Sequence, residues 1–434
     1  MTTEPTSDRL PGRVRYGYAA GSVVTGVFGT VPGLVLLPYL TDTIGVQAAL
    51  AGLLVLLPKA WDVVCNPLAG RISDRSAADA GRRPFLLAGG IATAVLFAAM
   101  FAHPGVSGGG AAAWVVVTFL LCATAYAFFQ VPYIAMPAEI TDAPAERTAL
   151  MTRRIAVLAV AILASGAGAP AIRDALGGVA GYRLMGVAMG VLLVAGTVWC
   201  FLGTRGTAHG RVLGGSAGLR ATVAAVRQAG AFRRLLVIFV VQAVGLGTML
   251  AGVDYVSRVV LARSGLSAVL FAAFIGPALV VMPLWQALSV RRSKAACYAV
   301  ASVMFGVAAL LLVALGRSAP AAIVLLAIAG AAYAGLQVFP LSLLPDLTAQ
   351  EETRTGQVRA GIFAGVWTAG ETLGLALGPG LYGLTLAAGG YVSGAAAADQ
   401  PAGAVTAALL GFALLPAIFV LVPIPLLRKL SGGR

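Results

Sequence analysis

Windows of about 20 apolar residues, long enough to cross about 30 Å of hydrocarbon as a helix, recur twelve times along this chain of 434 residues. They fall near 17–40, 46–69, 84–102, 112–136, 149–169, 182–202, 235–259, 266–289, 294–315, 319–344, 357–388 and 404–427. A segment in lipid has no water to satisfy its backbone polar groups, so each window is expected to be a helix. With 59% hydrophobic and 11% charged residues the chain lies far from soluble averages. An all-α integral membrane protein of twelve transmembrane helices is expected, embedded in a lipid bilayer as a monomer. The longest polar connection, Gly203 to Arg234, carries six arginines and falls between the sixth and seventh windows. It predicts an N-terminal six-helix bundle at 1–202, a linker loop at 203–234 and a C-terminal six-helix bundle at 235–434.

The loop charges give an orientation. Of the 30 lysines and arginines, 24 lie on the side of the two termini, and Arg173, Arg183, Arg258, Arg263 and Arg317 lie on the other. Lys59 falls inside a window. Positive charge collects on the cytoplasmic side, so both termini and the arginine-rich loop are expected to be cytoplasmic, in the cell's inner (plasma) membrane. The first fifteen residues lack the apolar stretch of a signal peptide, and the first window is expected to serve as the insertion signal. A net charge of +14 does not imply nucleic acid as a partner, because the arginines sit between apolar spans and form no basic stripe interleaved with exposed aromatics. Cys65, Cys122, Cys200 and Cys297 fall inside spans and read as small packing residues. His103 and His209 fall in loops on opposite sides, so no metal site is expected. The sequence has no nucleophile with its base, no P-loop and no dinucleotide fingerprint. An enzyme is not expected, nor any cofactor beyond a coupling ion, H+ or Na+.

Charge inside the spans is rare and therefore informative, because intramembrane ionisable groups usually mark ion or substrate paths. The stretch Pro58–Pro84, PKAWDVVCNPLAGRISDRSAADAGRRP, holds Lys59 and Asp62 on one helical face, with Asn66 one turn further on. The other intramembrane acids are Asp254 and Glu371. Glu371 lies in WTAGETLGLALG, where small residues let helices approach closely. Asp254 lies far along its span and is expected to be solvated at the outer interface. Neutral groups able to line a cavity are Tyr126, Gln130 and Tyr133 in span four, Gln242 in span seven, Gln337 in span ten and Trp367 in span eleven.

The loop GRISDRSAADAGRRP resembles the hallmark of the major facilitator superfamily, a glycine, an acid followed by arginine, then a glycine and two basic residues: Gly70, Asp74, Arg75, Gly81, Arg82 and Arg83. A degenerate echo, PLWQALSVRRSK, follows span eight, as a duplicated fold of two pseudo-symmetric six-helix bundles would have it. Within that superfamily the chain resembles the glycoside-pentoside-hexuronide:cation symporters, the group of the melibiose permease, over nearly its whole length. The resemblance rests on the opening YGY and PYLTDTIG, on KAWDVVCNPLAG, on VPYIAMPAEITDAPAERTALMTRR ending at Arg154, and on LLPDLTAQEETRTGQVRAGIFAGVWTAGETLGLALG.

The resemblance implies secondary transport of a small organic solute by alternating access, with Asp62, Lys59 and Asn66 at the coupling site. It also implies a gating role for the loop after span two, with Asp74 and Arg75 as a latch. The substrate-binding candidates are Tyr126, Gln130, Arg154, Gln242, Trp367, Glu371 and Thr372. Departures bear on specificity. Asn66 stands where the family has a second sodium-holding acid, span one has no carboxylate, span four has Gln130, and Thr372 stands where many members have lysine. Sodium prefers several oxygen ligands and more than one formal charge, so a proton is the expected coupling ion, in symport of a sugar-like or other polar solute. The alternative is a proton-coupled exporter of an amphipathic or drug-like compound.

Overall fold

A computed structural model describes residues 10–431, apart from 78–81, 103–104, 106–107, 142–143, 208–218 and 356–359. Its elements are helical throughout the described residues. In chain order they are α1 (Gly12–Ala20), α2 (Ser22–Pro38), α3 (Ala48–Ala77), α4 (Arg83–Met100), α5 (Gly109–Ile140), α6 (Pro144–Leu176), α7 (Gly178–Gly203), α8 (Leu219–Gln228), α9 (Gly230–Tyr255), α10 (Leu266–Arg291), α11 (Lys294–Leu315), α12 (Ala319–Thr355), α13 (Ala360–Ala388), α14 (Ala402–Leu421) and α15 (Ile424–Ser431). Eleven helices among the described residues are long and apolar enough to cross a membrane. The 29-residue α13 occupies the place of the remaining expected span, so the twelve-span reading holds and the protein is a multi-pass membrane protein.

Several boundaries differ from the hydropathy reading, for physical reasons. The first span starts at Gly12 and breaks at Gly21, whose N–H turns back to Tyr18 and Ala19. The arginine-rich connection contains α8, a ten-residue helix whose apolar and polar residues separate onto opposite faces, a pattern that a mean over 20 residues hides. Only Gly177 separates α6 from α7, and its φ of +66° is the left-handed turn that glycine makes without strain. Arg173, expected in a loop, is therefore helical, buried and paired with Asp174.

The chain forms two compact units. The first comprises residues 1–32 and 60–214, the second 33–59 and 215–434. In the first, α4 packs along α5 and α7, and α1 lies against α6 and α7. Apolar side chains gain little from association in lipid, so the helices close by bringing small residues together. A Cβ on Gly17 would lie 2.5 Å from the Cα of Gly203, so α1 and α7 touch backbone to backbone. In the second unit, α9 is the centre and packs on α13 and α14, while α12 packs on α10 and α11. Gly378 of α13 meets Gly247 of α9 in the same way.

The ends of α2 and α9, both within the second unit, form the same irregular turn. Residues Tyr39–Thr43 and Val256–Val260 are π-helical. Ile44 N–H bonds to Tyr39 C=O and Val46 N–H to Leu40 C=O, and Leu261 N–H bonds to Val256 C=O and Arg263 N–H to Ser257 C=O. The residue at the left-handed position is Gly45 (φ +83°) in the first turn and Ala262 (φ +50°) in the second. One backbone shape thus occurs twice in the same register, as expected where the halves of a chain repeat.

Candidate functional site

In the first unit the site is built on α5, where Tyr126, Gln130 and Tyr133 are spaced four and three residues apart and so share a face. Thr25 donates its hydroxyl hydrogen to Gln130 Oε1 at 2.8 Å. Phe28 stacks on Tyr126 with ring centroids 4.1 Å apart. Tyr133 donates to the Tyr18 carbonyl at 2.8 Å and contacts Ser22 Oγ at 2.9 Å. The second half of α3 docks on α5 through Trp61 Nε1, which donates to Thr124 at 3.0 Å, and through Cys65 and Ala69 against Ala127. That docking buries Asp62, only 6% exposed, in an otherwise apolar span. Its charge acts on the Tyr126 hydroxyl, as does that of Arg154.

Arg154 of α6 is half-buried, with its guanidinium 5.3 Å from the centre of the Tyr133 ring. No described carboxylate lies within ion-pair distance of it, and its buried Nε has no hydrogen-bond acceptor among the described residues. Asp62, Tyr126, Gln130 and Arg154 are therefore brought together in one unit, around aromatic and hydroxyl groups. Asn66 is exposed on α3 and Lys59 is half-buried. Of the gating candidates, Arg82 is buried, and Arg83 donates to the Phe201 carbonyl and lies 4.4 Å over that ring's centre. Gly70 is half-buried on α3. The Asp74 and Arg75 side chains, Gly81, His103 and His209 lie outside what the structure describes.

The remaining candidates belong to the second unit. Gln242 is 2% exposed and satisfied at both ends of its amide: Nε2 donates to Ser302 Oγ at 3.0 Å, and Tyr298 donates to Oε1 at 2.7 Å. It ties α9 to α11 inside the helix bundle. Trp367 is 3% exposed and stacks on Phe239 of α9 at 4.1 Å, with its Nε1 buried and without an acceptor among the described residues. Glu371 and Thr372, one turn further along α13, are half-buried, and Glu371 lies within electrostatic range of the Tyr333 hydroxyl of α12.

One cluster lay beyond sequence reasoning. Arg258, on the second π-turn, pairs with Asp42 on the first and with Asp254 one turn back on α9, at 2.7 Å to Asp254. Tyr391 donates to Asp42 Oδ1 at 2.6 Å, Ser267 donates to Asp254 Oδ1 at 3.2 Å, and Thr41 shares a 2.7 Å hydrogen bond with Tyr255. The expectation of a solvated Asp254 is thereby corrected. Its side chain is 1% exposed, and a guanidinium and a hydroxyl take the place of water. Asp42 sits 216 residues from Arg258, and no local spacing signals such a pair. No group of three or more His, Cys, Asp or Glu suited to a metal occurs among the described residues.

A family model described as MFS/sugar transport protein matches residues 17–431. A protein of Escherichia coli (strain K12) assigned as a glycoside/cation symporter, YagG, is 35% identical over 151 residues, covering 35% of this chain and 33% of the relative. The matched stretch thus spans about a third of that relative's length. The uncharacterized symporter sll1374 of Synechocystis sp. is 26% identical over 529 aligned positions, covering 97% of this chain and 94% of the relative. Among solved structures, a bacterial homolog of the human lysosomal transporter Spinster superposes with a TM-score of 0.72 at 16% identity, covering 97% of this chain and 98% of the other. At that identity the likeness speaks for the fold, which is that of the major facilitator transporters.

Proposed function

The chain belongs to the MFS/sugar transport protein family, a family of transporters and not of enzymes, and from that premise we propose that it is a proton-coupled secondary transporter that imports a sugar-like or other polar solute by alternating access. The observation that carries this reading is the buried Asp62 beside Tyr126, in one cluster with Gln130 and Arg154. With Asn66 in place of a second acid, one carboxylate inside an apolar span suits a proton better than sodium, since sodium needs several oxygen ligands to replace its water. Tyr126, Gln130 and the Arg154 guanidinium supply the mixture of aromatic surface and hydrogen-bonding groups that a hydroxylated solute needs. Relatives named as symporters support the coupled mode.

The test is uptake into proteoliposomes of the full chain under imposed proton or sodium gradients, across a panel of sugars and sugar acids. Wild-type accumulation is expected to follow the proton gradient and to ignore sodium. Asp62→Asn is expected to abolish accumulation while sparing solute exchange. Sodium-stimulated uptake at fixed pH, lost in Asp62→Asn, would assign the other ion.

A second reading is export of an amphipathic compound. It is favoured by Gln130, a neutral amide bonded to Thr25, where a sugar-holding acid stands in the resembled symporters. Resistance without accumulation in cells carrying the gene separates the two. We place both termini on the cytoplasmic side of the inner membrane. Cysteines introduced at Gly108 and Ser216 check this: an impermeant thiol reagent should label position 108 and spare position 216 in intact cells.

A further inference from the structure

We infer that Glu371 is a second proton-binding site of the transporter, in the second unit, held as a neutral carboxylic acid; this rests on the proton-coupled reading above. Four other carboxylates of that unit have cations: Asp42 and Asp254 share Arg258, Asp346 pairs with Lys294 and Glu351 with Arg354. Glu371 lies well inside α13 and has no ion pair and no hydrogen bond among the described residues. An unpaired carboxylate in an apolar helix bundle loses its hydration without compensation, and binding a proton removes that cost.

On α9, packed against α13, the charged groups are Arg233 and Arg234 at its start and Asp254 near its end, and Asp254 is held by Arg258. On α12 the Tyr333 hydroxyl faces Glu371, and α14 carries no titratable group within Ala402–Leu421. Two more elements meet α13: α8, with Arg220 and Arg227, and α3, whose Gly52 approaches Pro379 and which carries Lys59; among the described residues Glu371 forms no ion pair with any of these cations. The site is also built for access. Gly370 and Gly374 press α13 onto Val240 and Ala243 of α9, so the Glu371 side chain emerges at the edge of that contact. One turn back, the buried Nε1 of Trp367 has a hydrogen to donate and no described acceptor. When water reaches the site, the carboxyl O–H bond breaks, its electron pair stays on the oxygen and the proton passes to water. The carboxylate left behind is within helical reach of the Trp367 N–H.

Infrared spectroscopy of the full chain in lipid nanodiscs tests this directly, because a protonated carboxyl has a C=O stretch that shifts on deuteration and a carboxylate does not. At neutral pH the wild type should show such a band. It should vanish in Glu371→Gln and persist in Asp62→Asn. No band in the wild type, or a band unchanged in Glu371→Gln, overturns the proposal. Should Glu371→Gln fail to fold, Glu371→Asp replaces it: a displaced band supports the assignment, and a band at the wild-type position overturns it. The measurement needs no solute, so it fails or succeeds separately from the transport assay.

Discussion

Arg154 and Arg258 are both helical arginines among tyrosines, and they are treated in opposite ways. Arg258 has two carboxylates, Asp42 and Asp254, and Tyr391 and Ser267 complete the acids' hydrogen bonds. Arg154 has tyrosine rings and hydroxyls around it, no described carboxylate in range and a buried Nε with no acceptor. An ion group that is closed upon itself has nothing left for a ligand and serves the fold. An open guanidinium leaves donors for a ligand to take. The acids repeat the contrast, with Asp254 closed and Glu371 open.

Removing each arginine breaks the comparison most directly. Arg258→Met leaves the buried Asp254 without its cation, which should lower stability by about 3 kcal/mol, seen as a clear drop in melting temperature in nanodiscs. Arg154→Met removes no ion pair and should stay within about 1 kcal/mol of wild type, while solute uptake is lost. Equal destabilisation by the two would refute the distinction between closed and open. A smaller effect sharpens it from the backbone side. The turn that carries Arg258 requires a left-handed residue and has Ala262 there, whereas its counterpart has Gly45. Ala262→Gly should relieve about 1 kcal/mol of strain, less the added freedom of the unfolded chain. A small rise in melting temperature checks it, and a fall would show that Ala262 pays its way by packing.

Much of this was legible in the sequence. Twelve apolar windows and the bias of arginine to one side led to the helices, because in lipid the backbone permits little else. Asp62, Tyr126 and Gln130 were readable as candidates because charge and polarity are rare inside such windows, and Arg154 because it ends a stretch that resembles the symporters. What was hidden depends on contacts between distant residues. The satisfied state of Gln242 requires Ser302 and Tyr298, and the burial of Asp254 requires Arg258 and Ser267. The helix α8 escaped because its amphipathic face averages to no net hydropathy.

The paired π-turns bear on ancestry. They match bond for bond, so the backbone of one copy survives in the other although the residues have diverged: in that register Asp42 corresponds to Val259, and Arg258 to Thr41. Neither member of the ion pair is repeated in its counterpart. The bond between them thus belongs to what differs between the two turns and not to the backbone shape they share.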